Sequence, residues 1–295
     1  MLDTQPRSPQ RRRIYLMRHG AVTYFDGSTG RPVLPEQVQL NDDGIVQAQA
    51  AGEAFRAAGV RFDRVIVSGL PRTVQTADLV LRHSGQPDLK PQVWPEWQEI
   101  RGGRLGEIRN EDLAESFNGL QRSPVAESQR FLNGERVGEL LDRVLGGVAR
   151  LQADPDWDCA LLVLHGVVNA AILSHAVTGG QRVMLGSWVQ SPACINVLDV
   201  APPAGDAPAS WLLRVCNFAP SHPLHADELV TPRRARQHTR GRWPMTRAAH
   251  RRWRRRGRPP GRGTGRGGAS DREPQERRSR KQRADAECAR GARRS

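Results

Sequence analysis

The stretch Ile14-Tyr15-Leu16-Met17-Arg18-His19-Gly20 decides the fold. Its first four residues are apolar without polar alternation, the pattern of a strand buried on both faces. Such strands belong to parallel sheets covered by helices on each side. This one runs straight into Arg18, His19 and Gly20, so a cation and an imidazole stand at its carboxyl end. Open parallel sheets bind their ligands beyond that edge. The pattern recurs twice. Val65-Ile66-Val67 leads to Ser68, and Ala160-Leu161-Leu162-Val163-Leu164 leads to His165-Gly166. Glycine after each histidine permits a sharp turn and brings backbone N–H groups close to a ligand.

Helical signals lie between these strands. Asn41 reads as an N-cap, and Asp42 and Asp43 in the first turn suit the helix dipole. Ile45, Ala48, Gly52 and Phe55 follow at helical spacing. Pro71 opens a second helix with Val74, Ala77 and Leu81 on one face. Val137, Leu140, Leu141, Val144, Val148 and Leu151 stripe a helix over 135–151, and Val168, Ala171 and Ile172 mark another after His165. Residues 194–200 and 211–218 alternate apolar and polar, and read as an antiparallel pair joined by a proline-rich loop. Residues 21–40 and 86–110 read as irregular. The alternation of strand and helix predicts an α/β fold, a three-layer α/β/α sandwich around a mostly parallel central sheet.

The chain has 295 residues and a formal net charge of +14. Residues 232–295 hold 23 Arg and Lys against 5 Asp and Glu, while the rest of the chain holds 22 against 26. The basicity therefore belongs to a tail. That tail lacks Ile, Phe and Tyr and is rich in Arg, Gly and Pro. It is expected to be disordered, because it has little apolar surface to offset its ordering entropy. Residues 1–11 read as a flexible leader, which leaves 12–231 for one compact domain. Three readings of the tail stay open: weak, non-specific binding to nucleic acid, an inert solvated extension, or the product of a shifted frame in GC-rich DNA. No apolar run reaches about 18 residues, so neither a membrane-spanning helix nor a membrane partner is expected. No secretory stretch precedes Ile14. Cys159, Cys194, Cys216 and Cys288 show no CxxC spacing and read as buried or inert reduced thiols. A cytoplasmic location is expected on these grounds.

The residues at the strand ends suit a phosphate. Arg18, His19, Ser68, Arg72 and His165 all fall at strand carboxyl ends or in the first turn of the next helix. Their blocks resemble the histidine phosphatase superfamily (phosphoglycerate mutase-like). Leu16-Met17-Arg18-His19-Gly20 resembles its RHG signature. Leu40 through Ala48 resembles the next block, and Ser68 through Ala77 the block that carries a second arginine. Gln98-Glu99-Ile100 with Leu105-Gly106 resembles the acid-bearing loop, and Val163-Leu164-His165-Gly166 the second-histidine block. The likeness covers about residues 12–220, in the expected order.

The resemblance implies a phosphatase acting on a small phosphate monoester, with phosphoglycerate mutase-type transfer as the alternative. It implies that His19 is the nucleophile and that Arg18, Arg72 and His165 hold the phosphoryl oxygens. Glu99 would be the acid, and no metal or cofactor is required. Two departures stand out. Ala21 and Val22 occupy places where the family often has an acidic residue or Gln and then a hydroxyl, and Val167 follows Gly166 where a second glycine is common. No basic insertion follows the acid loop, which favours phosphatase over mutase. Several readings stay open. Ser68 is a helix cap or a phosphate ligand, Trp94 and Trp97 are packing residues or a substrate platform, and Glu99 competes with Glu96, Glu107 and Glu111. His175 reads as structural, while His222, His225 and Asn217 are weak candidates for the pocket mouth. The sequence leaves the oligomeric state and the ester undefined. The nucleic-acid reading of the tail predicts retention on a polyanion that weakens with salt and vanishes on truncation after residue 231. Retention by the truncated chain rules the tail out.

Overall fold

The run that begins at Arg12 becomes strand β1 (Arg12–Arg18), and it lies inside the sheet. The computed structural model describes residues 11–29, 31, 33–103, 120, 123–201 and 209–224. In chain order there follow α1 (Asp42–Ala57), β2 (Arg64–Val67), α2 (Pro71–His83), β3 (Gln92–Val93) and a 3-10 turn (Pro95–Trp97). Then come α3 (Val137–Ala153), β4 (Cys159–Leu164), α4 (Gly166–Val177), β5 (Ile195–Ala201) and β6 (Ser210–Phe218). The strand order is β3-β2-β4-β1-β5-β6. The first four are mutually parallel, and β5 and β6 add antiparallel to the β1 side.

Successive side chains of a strand point to opposite faces, so an uninterrupted apolar run needs cover on both. Ile14 and Leu16 of β1 share a core with Ala160, Leu162 and Leu164 of β4, closed by α3 and α4. Tyr15 and Met17 share the other core with Leu161 and Val163, closed by α1 and α2. These two cores make the expected three-layer α/β/α sandwich. Each Leu or Val fully buried in them stabilises the fold by about 1.5–3 kcal/mol.

The helix starts follow from local chemistry. The Asn41 side chain accepts a hydrogen bond from the Gly44 N–H at 2.9 Å, and Pro71 occupies the first turn of α2. Helix α3 begins with its apolar stripe at Val137, two residues later than the expected start at 135, because the Glu139 carboxylate reaches back to the Arg136 N–H at 2.8 Å and leaves Glu135 outside the helix. The segment 86–110 is not wholly irregular. It contains β3, which pairs with β2 over only Ile66–Gln92 and Val67–Val93, too short a strand to show a period. Cys194 is buried and Cys159 half-buried, but Cys216 is exposed, contrary to its reading as a buried thiol. It lies on edge strand β6, where Leu212 and Val215 are also exposed. The expected leader (save Arg11), the basic tail, Cys288 and most of 104–122 lie outside the described residues. Among the described residues no helix is long and apolar enough to cross a membrane.

Parallel register places the functional junctions. Arg18 stands opposite Leu164, and Val67 opposite Val163, with β4 between β1 and β2. His19, Ser68 and His165 therefore leave the sheet at one height on its carboxyl edge. The first junction is also pressed against the start of α1. A Cβ on Gly20 would lie 2.5 Å from the Gly44 carbonyl oxygen, and one on Gly44 would overlap the Ala21 carbonyl. Gly44→Ala is therefore expected to destabilise the fold by about 1–3 kcal/mol, despite alanine's better helix propensity. Gly146→Ala, within α3 and with open space around it, is expected to stabilise by about 1 kcal/mol. Thermal denaturation of the two variants checks both signs, at roughly 2–4 °C per kcal/mol.

Candidate active site

The His19 backbone is pinned on both sides of the turn. Its N–H donates to the Leu164 carbonyl at 3.0 Å, and its own carbonyl accepts from the Ala193 N–H at 3.1 Å. The ring is buried, and its Nδ1 lies 2.7 Å from the Gly20 carbonyl oxygen. A carbonyl can only accept, so Nδ1 carries the proton and Nε2 presents a lone pair. Burial holds the imidazole well below its ordinary pKa, and the charges of Arg18 and Arg72 lower it further. The ring is neutral and ready to act as a nucleophile.

His165 sits beside it, with ring centroids 5.3 Å apart. A chain of hydroxyls fixes its tautomer. Thr73 Oγ1 donates to the Leu70 carbonyl at 2.8 Å, and the Ser68 hydroxyl, 3.1 Å from Thr73 Oγ1, donates to it in turn. The Ser68 oxygen is then left to accept from His165 Nε2 at 2.8 Å. The other ring nitrogen, Nδ1, is buried and has no partner among the described residues. Burial, then His19, Arg72, Arg18 and Arg143, hold His165 well below its ordinary pKa.

The two guanidiniums complete the cluster. One Arg18 nitrogen, Nη1, donates to the Gln190 carbonyl. The same side chain runs along the second junction, since a Cβ on Gly166 would lie 3.7 Å from its Nε. Arg72 is 3% exposed and donates from Nη1 to the Pro35 carbonyl at 3.2 Å. Nε of Arg18 and Nε of Arg72 are buried without acceptors among the described residues. Buried donors of one sign without acceptors are costly, and an oxyanion relieves them together.

Glu99 closes the site from the loop after the 3-10 turn. Its Oε1 accepts from the Ile100 N–H at 3.0 Å, and its Oε2 from the Val167 N–H at 3.3 Å, in the first turn of α4. Burial raises its pKa, against the opposing pull of those two N–H groups and of Arg18 and Arg72. A carboxyl in this setting keeps its proton to higher pH than a solvated one. Arg18, His19, Arg72, Glu99 and His165 thus lie in one cluster.

The family model for the histidine phosphatase superfamily (branch 1) matches residues 14–207. The chain belongs to that superfamily. A broad-specificity phosphatase of Saccharomyces cerevisiae is 26% identical over 60% of this chain and 70% of its own length. The protein named probable phosphoglycerate mutase GpmB in Salmonella paratyphi A is 30% identical over 55% of this chain and 73% of its own. Among solved structures, the alpha-ribazole phosphatase of Shigella flexneri superposes with a TM-score of 0.53 at 25% identity, covering 70% of this chain and 96% of that one.

Within this member of the histidine phosphatase superfamily, other residues resolve into supporting parts. Ser68 is the hydrogen-bond partner of His165, whereas α2 has no side-chain cap. Trp94 and Trp97 are packing residues: both are buried, their ring centroids lie 4.8 Å apart, and Trp97 Nε1 donates to the Val144 carbonyl. His175 faces the Gln181 carbonyl and the Trp211 ring. The Asn217 carboxamide oxygen accepts from the Ser191 N–H at 2.8 Å, one residue after the carbonyl that holds Arg18. Thr23, one place late for the family's hydroxyl, is exposed, and Ala21 instead has its N–H satisfied by the Gln47 side chain at 2.9 Å. His225, Glu107 and Glu111 lie outside the described residues.

The depressed imidazoles have a consequence for stability. Below about pH 6.5 the unfolded chain binds protons that the folded His19 and His165 refuse, so their contribution to stability is lost as pH falls. The slope is up to about 1.4 kcal/mol per pH unit for each histidine. Glu99 acts with the opposite sign above its ordinary value of 4.5. Subtracting the stability curve of His165→Gln from that of the wild type, between about pH 8 and pH 5, isolates one histidine. A difference that does not change with pH contradicts its burial as a neutral base.

Proposed function

We propose that this chain hydrolyses a small-molecule phosphate monoester through a phosphohistidine formed at His19 Nε2. The observation that carries the reading is the hydrogen bond from His19 Nδ1 to the Gly20 carbonyl. It leaves Nε2 unprotonated beside Arg18 and Arg72, whose Nε donors have no partner among the described residues.

In the first half-reaction the Nε2 lone pair forms the N–P bond. The P–O ester bond breaks, its electron pair goes to the ester oxygen, and the Glu99 proton neutralises that oxygen. In the second, the Glu99 carboxylate takes a proton from water, the water oxygen bonds to phosphorus, and the N–P pair returns to His19. Arg18 and Arg72 hold the equatorial oxygens in both halves, because phosphoryl transfer requires positioning and positive charge more than covalent help. His165 joins them once its Nδ1 carries a proton, which a bound dianion favours. These residues supply the charge, so the scheme calls for no metal or cofactor.

Hydrolysis is preferred over transfer within a substrate because of the excursion 22–40, which bridges at Val22–Leu40 and presses Pro35 on Arg72. It exposes Tyr24, Phe25 and Leu34, and the Glu36 carboxylate acts on Arg72. A mutase has to retain a doubly anionic intermediate, and acidic and apolar neighbours do not favour that. The identity to a protein named as a mutase supports the second reading, phosphoglycerate mutase-type transfer. Incubating the full chain with labelled phosphate esters, including a phosphorylated sugar acid, separates them. Release of inorganic phosphate is expected, with label on His19 after an alkaline quench, in which a P–N bond survives. His19→Ala is expected to lower turnover on the order of 10³-fold or more. Undiminished turnover in that variant would refute the mechanism, and label retained wholly in an isomerised product would favour the mutase.

A further inference from the structure

Glu99 is carried by a stretch, 98–103, without regular secondary structure. Proton transfer requires its carboxyl within about 2.6–3.2 Å of the leaving oxygen. The backbone around it is gripped from α3 by one side chain. Arg143 Nη1 donates to the Glu96 carbonyl at 2.8 Å and the Gln98 carbonyl at 2.6 Å. Its Nη2 donates to the carbonyl of Glu99 itself at 3.2 Å. The remaining donors hold Glu135 in a fork, Nε to Oε1 at 2.7 Å and Nη2 to Oε2 at 2.8 Å. All five N–H bonds of a guanidinium are thereby engaged.

Glu135 completes the grip on the far side of Glu99. Its Oε2 also accepts from the Arg101 N–H at 2.9 Å, and its own N–H donates to the Arg101 carbonyl at 2.9 Å. The pair is largely buried, with Arg143 and Glu135 side chains 14% and 7% exposed. Burial by itself would raise the Glu135 pKa, but the Arg143 fork and the Arg101 N–H outweigh it and keep the carboxylate ionised. The loop is thus tied at residues 96, 98, 99 and 101 to a single ion pair.

We infer that Arg143, oriented by Glu135, is the positioning residue for the general acid: it fixes the backbone that aims the Glu99 carboxyl at the departing oxygen. It touches no substrate, and the inference rests on Glu99 being the acid of the proposed reaction. Lysine cannot replace it, since a single ammonium has three donors and no planar fork for three carbonyls and a carboxylate.

A leaving group that departs as a stable anion, as in p-nitrophenyl phosphate, has little need of an acid. An alkyl phosphate depends on one. The ratio of kcat/KM for these two esters, measured on the full chain, therefore reads the aim of Glu99, and it cancels any difference in folded fraction between variants. Arg143→Lys and Glu135→Gln are each expected to lower kcat/KM for the alkyl ester on the order of 10–100-fold. The aryl ester should fall by less than about threefold. Glu99→Gln should move the ratio the same way and further. An unchanged ratio in both clamp variants, beside a shifted ratio in Glu99→Gln, overturns the inference and leaves the proposed function standing. An unchanged ratio in Glu99→Gln overturns both.

Discussion

The structure is organised around an electrostatic demand: two guanidiniums and two imidazoles are held together, with Arg72, His19 and His165 buried and Arg18 partly so. Four such groups in one hollow repel if all are charged, and the fold answers in two ways. It keeps both imidazoles neutral by burial, each ring with one nitrogen tied to oxygen, His19 to the Gly20 carbonyl and His165 to the Ser68 hydroxyl. It gives each guanidinium a backbone carbonyl, Gln190 for Arg18 and Pro35 for Arg72, and no ion pair among the described residues. A carbonyl steadies a cation without neutralising it, so the positive potential remains available to a dianion. A salt bridge at either arginine would compete with a phosphate in the proposed reaction.

Two glutamates near this hollow show how environment divides one residue type into two roles. Glu135 is forked by Arg143 and stays ionised, a fixed anchor. Glu99 is buried against backbone N–H groups without a forked partner, and its pKa rises. In the proposed reaction the first holds the loop and the second exchanges protons from it. Rigidity in the one gives the other a defined place to deliver its proton.

The parts legible in the chain were those with a local signature. Apolar runs ending in Arg18-His19-Gly20 and His165-Gly166 marked the strand carboxyl ends, and Asn41 and Pro71 marked helix starts, because caps and dipoles act over a single turn. Glu99 was legible only through the resemblance of its block, since nothing local separates it from Glu96. The short strand β3 left no trace, because two residues show no period. Exposure of Cys216 was misjudged because an apolar stretch looks alike in a central strand and in an edge strand. The roles of Ser68 and Arg143 were invisible. Their partners, His165 and Glu135 with the 96–99 carbonyls, are set by how β2 meets β4 and how α3 meets the acid loop.

Sequence alone determined the layered architecture and which residues stand at the strand ends, because unbroken apolar strands require cover on two faces and Arg-His-Gly at a strand end is a local arrangement. Tertiary structure alone decided which nitrogen of each histidine is free, which glutamate keeps its proton and which arginine binds backbone. Those properties depend on acceptors contributed from residues distant in the chain and on burial that no single segment supplies.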